Sequence, residues 1–135
     1  MRRSILSIII LILCAALAVG VMTVFSACGQ KDDGTWMKCH TAQMYVFYTA
    51  MAMTVLSAIT VFLKNKCAMI GLYLVNTTAA VIAMLIPGKL TSMCMTHTMR
   101  CYTVMKPFVM IICVCVIVLC IAGSISAIRR KENVR

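Results

Sequence analysis

The chain has 135 residues, of which 63% are hydrophobic and only 12% charged, with 13 Lys and Arg against 3 Asp and Glu. Its mean hydropathy of +1.02 lies far above that of soluble domains, in which roughly half the residues are apolar and about a quarter charged. These values exclude a soluble globular enzyme, a disordered chain and a small secreted domain built on disulfides. A net charge of +10 does not point to nucleic acid here, because the basic residues sit at the ends of apolar runs and form no basic face. At such places Lys and Arg are topology signals.

Four apolar runs follow one another, at 4–27, 45–63, 67–86 and 107–128, and none contains Asp, Glu, Lys, Arg or His. About 20 residues rising ~1.5 Å each cross a ~30 Å hydrocarbon core, so each run has spanning length. A backbone in lipid must satisfy its own hydrogen bonds, which predicts a helix for each run. Pro107 stands at a helix start, where proline is tolerated, and Pro87-Gly88 ends the third helix. The predicted fold is an all-α integral membrane protein: a four-transmembrane-helix bundle forming one domain over 1–135. It has two short extracytoplasmic cysteine-containing loops, 28–44 and 87–106. Phe25-Ser26-Ala27-Cys28 has the look of a lipoprotein cleavage site. The run before it is longer than a signal-peptide core, so the first helix is expected to be retained.

Orientation follows from the basic residues. Arg2, Arg3, Lys64, Lys66, Arg129, Arg130, Lys131 and Arg135 lie at the termini and the 64–66 turn, whereas the two longer loops hold Lys31, Lys38, Lys89, Arg100 and Lys106. The denser set marks the inner side, which predicts a multi-pass protein of the cytoplasmic membrane with both termini cytoplasmic. The connection Lys64-Asn65-Lys66 is short enough to make helices two and three antiparallel neighbours. Small residues four apart, Ala16/Gly20, Thr54/Ala58 and Gly123/Ala127, are expected at helix contacts. Asn76-Thr77-Thr78 is expected to turn inward as interhelical glue, a polar substrate path being the alternative. Met51 and Met53 read as packing residues. Cys14, Cys67, Cys113, Cys115 and Cys120 read as small buried apolar residues or a reduced thiol on the inner side.

The outer loops share a motif. Met37-Lys38-Cys39-His40-Thr41 matches Met99-Arg100-Cys101-Tyr102-Thr103 in the order methionine, base, cysteine, ring, threonine. A second cysteine precedes each, Cys28 in the first loop and Cys94 in the second. Two helix–loop–helix halves related by an axis along the membrane normal would bring the motifs together over one mouth of the bundle. The loops also hold Met37, Met44, Met93, Met95, Met99 and Met105, with both histidines, His40 and His97. Thiolate, thioether and imidazole suit copper(I), and cysteines with histidine suit zinc. The candidate metal ligands are therefore Cys39, His40, Cys94, His97 and Cys101, with copper or zinc as the cofactor and neither required by the sequence. The same cysteines are disulfide candidates. Cys28–Cys39 with Cys94–Cys101, bridges between the loops, and free or metal-bound thiols all fit the spacing.

The stretches from Cys28 to His40 (CGQKDDGTWMKCH) and from Cys94 to Cys101 (CMTHTMRC) resemble the two signatures of a bacterial membrane family, the domain-of-unknown-function 4418 family. The resemblance implies a four-helix membrane protein with a methionine-x-cysteine element in each outer loop and a histidine after the first. Tyr102 stands where His40 stands in the first motif, so two equivalent histidine ligands are not implied. The family brings no established activity.

Together these features read as a non-enzymatic binding or accessory protein whose outer loops bind a soft metal or form a disulfide-braced cap. One alternative is a thiol-disulfide oxidoreductase of the quinone-linked disulfide-forming type, with Lys38 beside Cys39 and Arg100 beside Cys101 lowering thiol pKa values. No Cys-x-x-Cys occurs to support it. Another is an accessory subunit of a membrane transport complex. Ion-coupled transport by this chain alone is disfavoured, since coupling ordinarily needs an ionisable residue within the membrane. The expected partners are the lipid bilayer and another membrane protein or a second copy of the chain; nucleic acid is not among them. Catalytic residues are not assigned, and the acids Asp32, Asp33 and Glu132 are too few and too scattered for paired-carboxylate chemistry.

Overall fold

The computed structural model describes residues 2–23, 32–35, 38–86, 89–90 and 101–133, without the side chains of 2, 3, 38, 39, 101 and 131. Its long elements are four helices: α1 (Arg2–Met22), α2 (Lys38–Phe62), α3 (Lys66–Leu85) and α4 (Lys106–Glu132). A π-helical turn, Cys101–Met105, leads into α4. All four helices are long and apolar enough to cross a membrane.

Each helix buries one stripe. On α1 it runs through Ser7, Ile10, Cys14, Leu17 and Val21; on α2 through Val46, Ala50, Met53, Ser57 and Thr60. On α3 it is Met69, Tyr73, Asn76, Ala80 and Ala83, and on α4 Val109, Cys113, Val116, Cys120 and Ala127. Steps of three and four residues keep a stripe on the side of a helix that faces near-parallel neighbours, as in four-helix bundles. The remaining faces carry exposed large apolar side chains on every helix, Ile and Val above all.

Contacts at three levels fix the direction of each helix. At one level Ser7 meets Tyr73, and Gly123 lies against Leu6 and Tyr73. At the next, Cys14, Ser57, Asn76 and Cys120 meet. At the third, Gln43 Nε2 donates to Val21 O at 3.0 Å. Successive helices therefore alternate in direction, and the starts of α2 and α4 share one end of the bundle. The tightest pairings are α1 on α2 and α3 on α4, so two hairpins meet along narrower α2–α3 and α1–α4 seams.

Several expectations need correction. The stretch expected as the outer loop 28–44 is helical from Lys38, and that expected at 87–106 is helical from Cys101. Residues 38–44 are too polar for a hydrocarbon span, yet a helix continues beyond the apolar region when its inner face stays packed. Ala42, Gln43 and Val46 are buried, and Gln43 occupies a carbonyl that α1 leaves unpaired near its end. The π turn before α4 has a local cause in Pro107, which offers no N–H to the carbonyl four residues earlier and whose ring crowds it. Ala16 faces outward, because the α1 stripe passes through Cys14 and Leu17 instead. Of the 76–78 triplet only Asn76 is buried; Thr78 is exposed and returns its hydroxyl proton to Leu74 O at 3.0 Å. Cys115 also points outward, while Cys14, Cys113 and Cys120 are fully buried.

A Cβ at Gly123 would stand 3.0 Å from Leu6 Cδ2 and 3.1 Å from Tyr73 Cζ, whereas one at Gly71 would meet nothing within 4 Å. Overpacking of a filled core costs ~1–3 kcal/mol. Gly123→Leu is thus expected to lower the unfolding midpoint in detergent or nanodiscs, with Gly71→Leu staying at the wild-type value or above it.

Candidate functional site

Two places in the bundle carry chemistry. The first is the end where α2 and α4 begin. Cys39 and His40 lie in the first turn of α2, and Cys101 opens the π turn. Cys28, Cys94 and His97 lie outside the described residues, as do the side chains of Cys39 and Cys101. His40 is half-buried, and so is Tyr102, over whose ring Lys106 Nζ sits at 4.5 Å. That distance suits a cation–π contact and turns the lysine along the helix end. Among the described residues no three of His, Cys, Asp and Glu come together to hold a metal ion. The described cysteines, Cys14, Cys67, Cys113, Cys115 and Cys120, are free thiols.

The second place is the centre of the bundle, where all four helices contribute polar atoms to one cluster. Asn76 on α3 is its hub. Its amide nitrogen donates to Ser57 Oγ on α2 at 3.2 Å and to Cys120 Sγ on α4 at 3.8 Å. Ser57 gives its own proton back to Met53 O at 2.8 Å. The oxygen is thereby an acceptor toward the interior, and Cys14 Sγ on α1, 3.7 Å away, takes the role of donor. One level along, Ser7 Oγ and Tyr73 Oη are 2.8 Å apart, a bond that crosses the bundle diagonally from α1 to α3. Asn76 Oδ1 is buried and makes no hydrogen bond within the chain.

This geometry has a plain chemical character. The apolar runs 4–27, 45–63, 67–86 and 107–128 hold no Asp, Glu, Lys, Arg or His, so the groups of the central cluster are amide, hydroxyl and thiol. What it supplies is acceptor oxygens and two thiols that share Asn76 and Ser57. Asn76 was legible in the sequence as a polar residue in an apolar run. Ser57 and Cys120 were not singled out as its partners, nor Cys14 as the partner of Ser57, nor Ser7 and Tyr73 as a pair. Their signal is a polar or thiol side chain on the buried stripe of each helix, visible only once the stripes are phased.

A bundle of four such helices, with outward apolar faces and a neutral polar centre, defines a class of compact four-helix proteins whose every helix can cross a membrane. The chain belongs to the family described as Domain of unknown function (DUF4418), which matches residues 10–126, from within α1 to within α4. No curated protein and no solved structure matches the chain.

Ser57→Ala removes the acceptor that holds the Asn76 amide and the Cys14 thiol. A buried donor left without its partner costs ~1–3 kcal/mol, and an interhelical bond in lipid averages ~0.6 kcal/mol. Ser57→Ala is therefore expected to destabilise the bundle more than Tyr73→Phe does, as measured by steric trapping or denaturant unfolding in micelles. Equal losses would show that the two polar levels are independent and equivalent.

Proposed function

We propose that this chain is a multi-pass protein of the cytoplasmic membrane, with both termini cytoplasmic. Its role is that of a non-enzymatic binding or accessory protein that presents soft donor side chains at its outer end. The observation that carries the membrane reading is the outward face of all four helices: large apolar side chains stand exposed along every helix, around an interior closed by neutral hydrogen bonds. Exposed apolar surface on that scale marks an interaction surface, and lipid suits one that encircles the bundle. Orientation rests on the excess of Lys and Arg at the 64–66 turn and the termini.

The binding role rests on the shared end of α2 and α4, from which Cys39, His40 and Cys101 start. In the sharpest form of the proposal, Cys39, His40, Cys94, His97 and Cys101 bind copper(I) or zinc there. In its other form Cys28, Cys39, Cys94 and Cys101 pair as disulfides and brace the outer cap. Neither form calls for turnover.

Two measurements test this. Cys67 is exposed at the start of α3, so a membrane-impermeant maleimide is expected to modify it only after the inner side is opened. Modification of Cys67 in intact cells would reverse the orientation and move the soft residues to the wrong face. Metal analysis of protein purified under reducing conditions tests the sharper form: copper or zinc is expected to be retained and to be lost in the Cys39→Ser, Cys101→Ser double variant. Protein free of both metals, with Cys28, Cys39, Cys94 and Cys101 bridged on mass-spectrometric mapping in native membranes without reductant, would decide for the braced cap.

A further inference from the structure

We propose that the basic collar at the end of the bundle where α1 and α3 begin binds anionic phospholipid, with the turn between α2 and α3 as a seat for the headgroup. The depth of the collar is fixed by contacts: Ser7 meets Tyr73 at 2.8 Å, and Gly123 lies against Leu6 and Tyr73. Arg2 and Arg3 open α1 about a turn from Ser7, Lys66 opens α3 two turns from Tyr73, and Arg129-Arg130-Lys131 close α4 two turns from Gly123. Lys64 stands just beyond the end of α2. At ~1.5 Å per residue the helical bases lie within roughly 6–12 Å of one level. Positions 2, 64 and 129 are remote in the chain, and the alternation of the helices gathers them.

Glu132 is the one acid in these segments. The side chains of Lys64, Lys66, Arg129 and Arg130 are exposed. Like charges gathered at one depth repel one another, and an anion that joins them relieves the repulsion. The opposite end is differently balanced: its loops carry Asp32 and Asp33 among the bases, and Lys106 rests over the Tyr102 ring.

The neighbours of the collar select the kind of anion. On the bilayer side of the bases stand large apolar side chains: Ile5, two residues from Arg3, Phe62, two from Lys64, and Ile128, next to Arg129. Phe62 is 84% exposed. A ligand that meets both features is an anion with an apolar body held at a fixed depth, which describes a phospholipid whose headgroup is net negative. Free phosphate and nucleic acid meet the charge alone. An acidic amphipathic segment of another protein would have to displace lipid that already surrounds the bundle. Beside the two lysines an open groove of about 560 Å³, lined by Lys64, Asn65, Lys66, Cys67 and Ala68, leaves room for a headgroup. Basic clusters at the ends of spanning helices bind anionic headgroups in this way. The proposal rests on the membrane reading above and uses none of the proposed metal ligands.

The test is the association of spin-labelled phosphatidylglycerol and phosphatidylcholine with the full chain in phosphatidylcholine nanodiscs, read as the motionally restricted fraction of each lipid. Nanodiscs expose both faces, so the result does not depend on orientation. Phosphatidylglycerol is expected to associate roughly fivefold more strongly, the worth of about one Lys or Arg at an anionic surface. That preference is expected to shrink toward unity at about 1 M salt, where the Debye length is ~3 Å. The variant Lys64→Gln, Lys66→Gln, Arg129→Gln, Arg130→Gln is expected to lose it while still restricting phosphatidylcholine, which reports an intact bundle. Lys64→Arg with Lys66→Arg is expected to keep it, as is Lys38→Gln with Lys106→Gln at the other end. Equal association of the two lipids would overturn the proposal, as would a preference that survives in the fourfold variant or falls as far in the Lys38, Lys106 variant. Loss of the preference to inorganic phosphate, at an ionic strength where chloride leaves it intact, would overturn it in favour of a free-anion site. An absence of restricted lipid of either kind would overturn the membrane reading itself, so the two failures are distinct.

Discussion

Asn76 donates its two amide protons to two different helices, and the arrangement of the bundle interior depends on that pair of bonds. Helices in lipid gain little from hydrophobic burial against one another, because lipid tails are as apolar as leucine. Packing and interhelical polar bonds must therefore set the register. The Asn76 amide ties α3 to Ser57 of α2 and Cys120 of α4, and Ser57 in turn meets Cys14 of α1. A slide of any helix by one turn would break at least one of these contacts and bury an unpaired polar atom.

The same constraint explains how the bundle tolerates its hydroxyls. Thr49, Thr54, Thr77, Thr78 and Ser124 all return their protons to a carbonyl one turn back, whether they face neighbours or the outside. Such residues satisfy themselves within their own helix and place no demand on the fold. Asn76 cannot do so, having two donors and an acceptor on one short side chain. It draws partners from other helices for that reason, and its carbonyl oxygen is left without a hydrogen bond within the chain. The close approach at Gly123 belongs to the neighbouring level, where it gives the Tyr73 ring the room to cross the bundle and reach Ser7.

The number of long helices, their approximate places and the absence of charge within their apolar runs were legible as composition and run length. A run of apolar residues long enough to span lipid has no folded alternative to a helix. The ends of the helices were less legible. Lys38-Cys39-His40-Thr41 reads as loop by hydropathy, yet it is the start of α2, because Ala42, Gln43 and Val46 continue the buried stripe and Gln43 closes on Val21. Hydropathy reports the apolar slab; it does not report packing beyond that slab. The outer-loop motif was legible as a pattern of soft donors. The interior cluster was not, because Ser7 and Ser57 are ordinary residues until helix phase brings them beside Tyr73 and Asn76.

Composition and run length thus determined by themselves that this chain makes four spanning-length helices, and its motifs pointed to the family to which it belongs. They did so because the cost of an unpaired backbone in lipid depends only on local apolarity and length. Which faces turn inward was decided by the tertiary structure alone. Ala16 and Gly123 are both small, yet one faces out and the other admits the Tyr73 ring; Cys115 and Cys113 are two residues apart, yet one is exposed and the other buried. Helix phase and register arise from contacts between segments far apart in the chain, and no local property of either segment contains them.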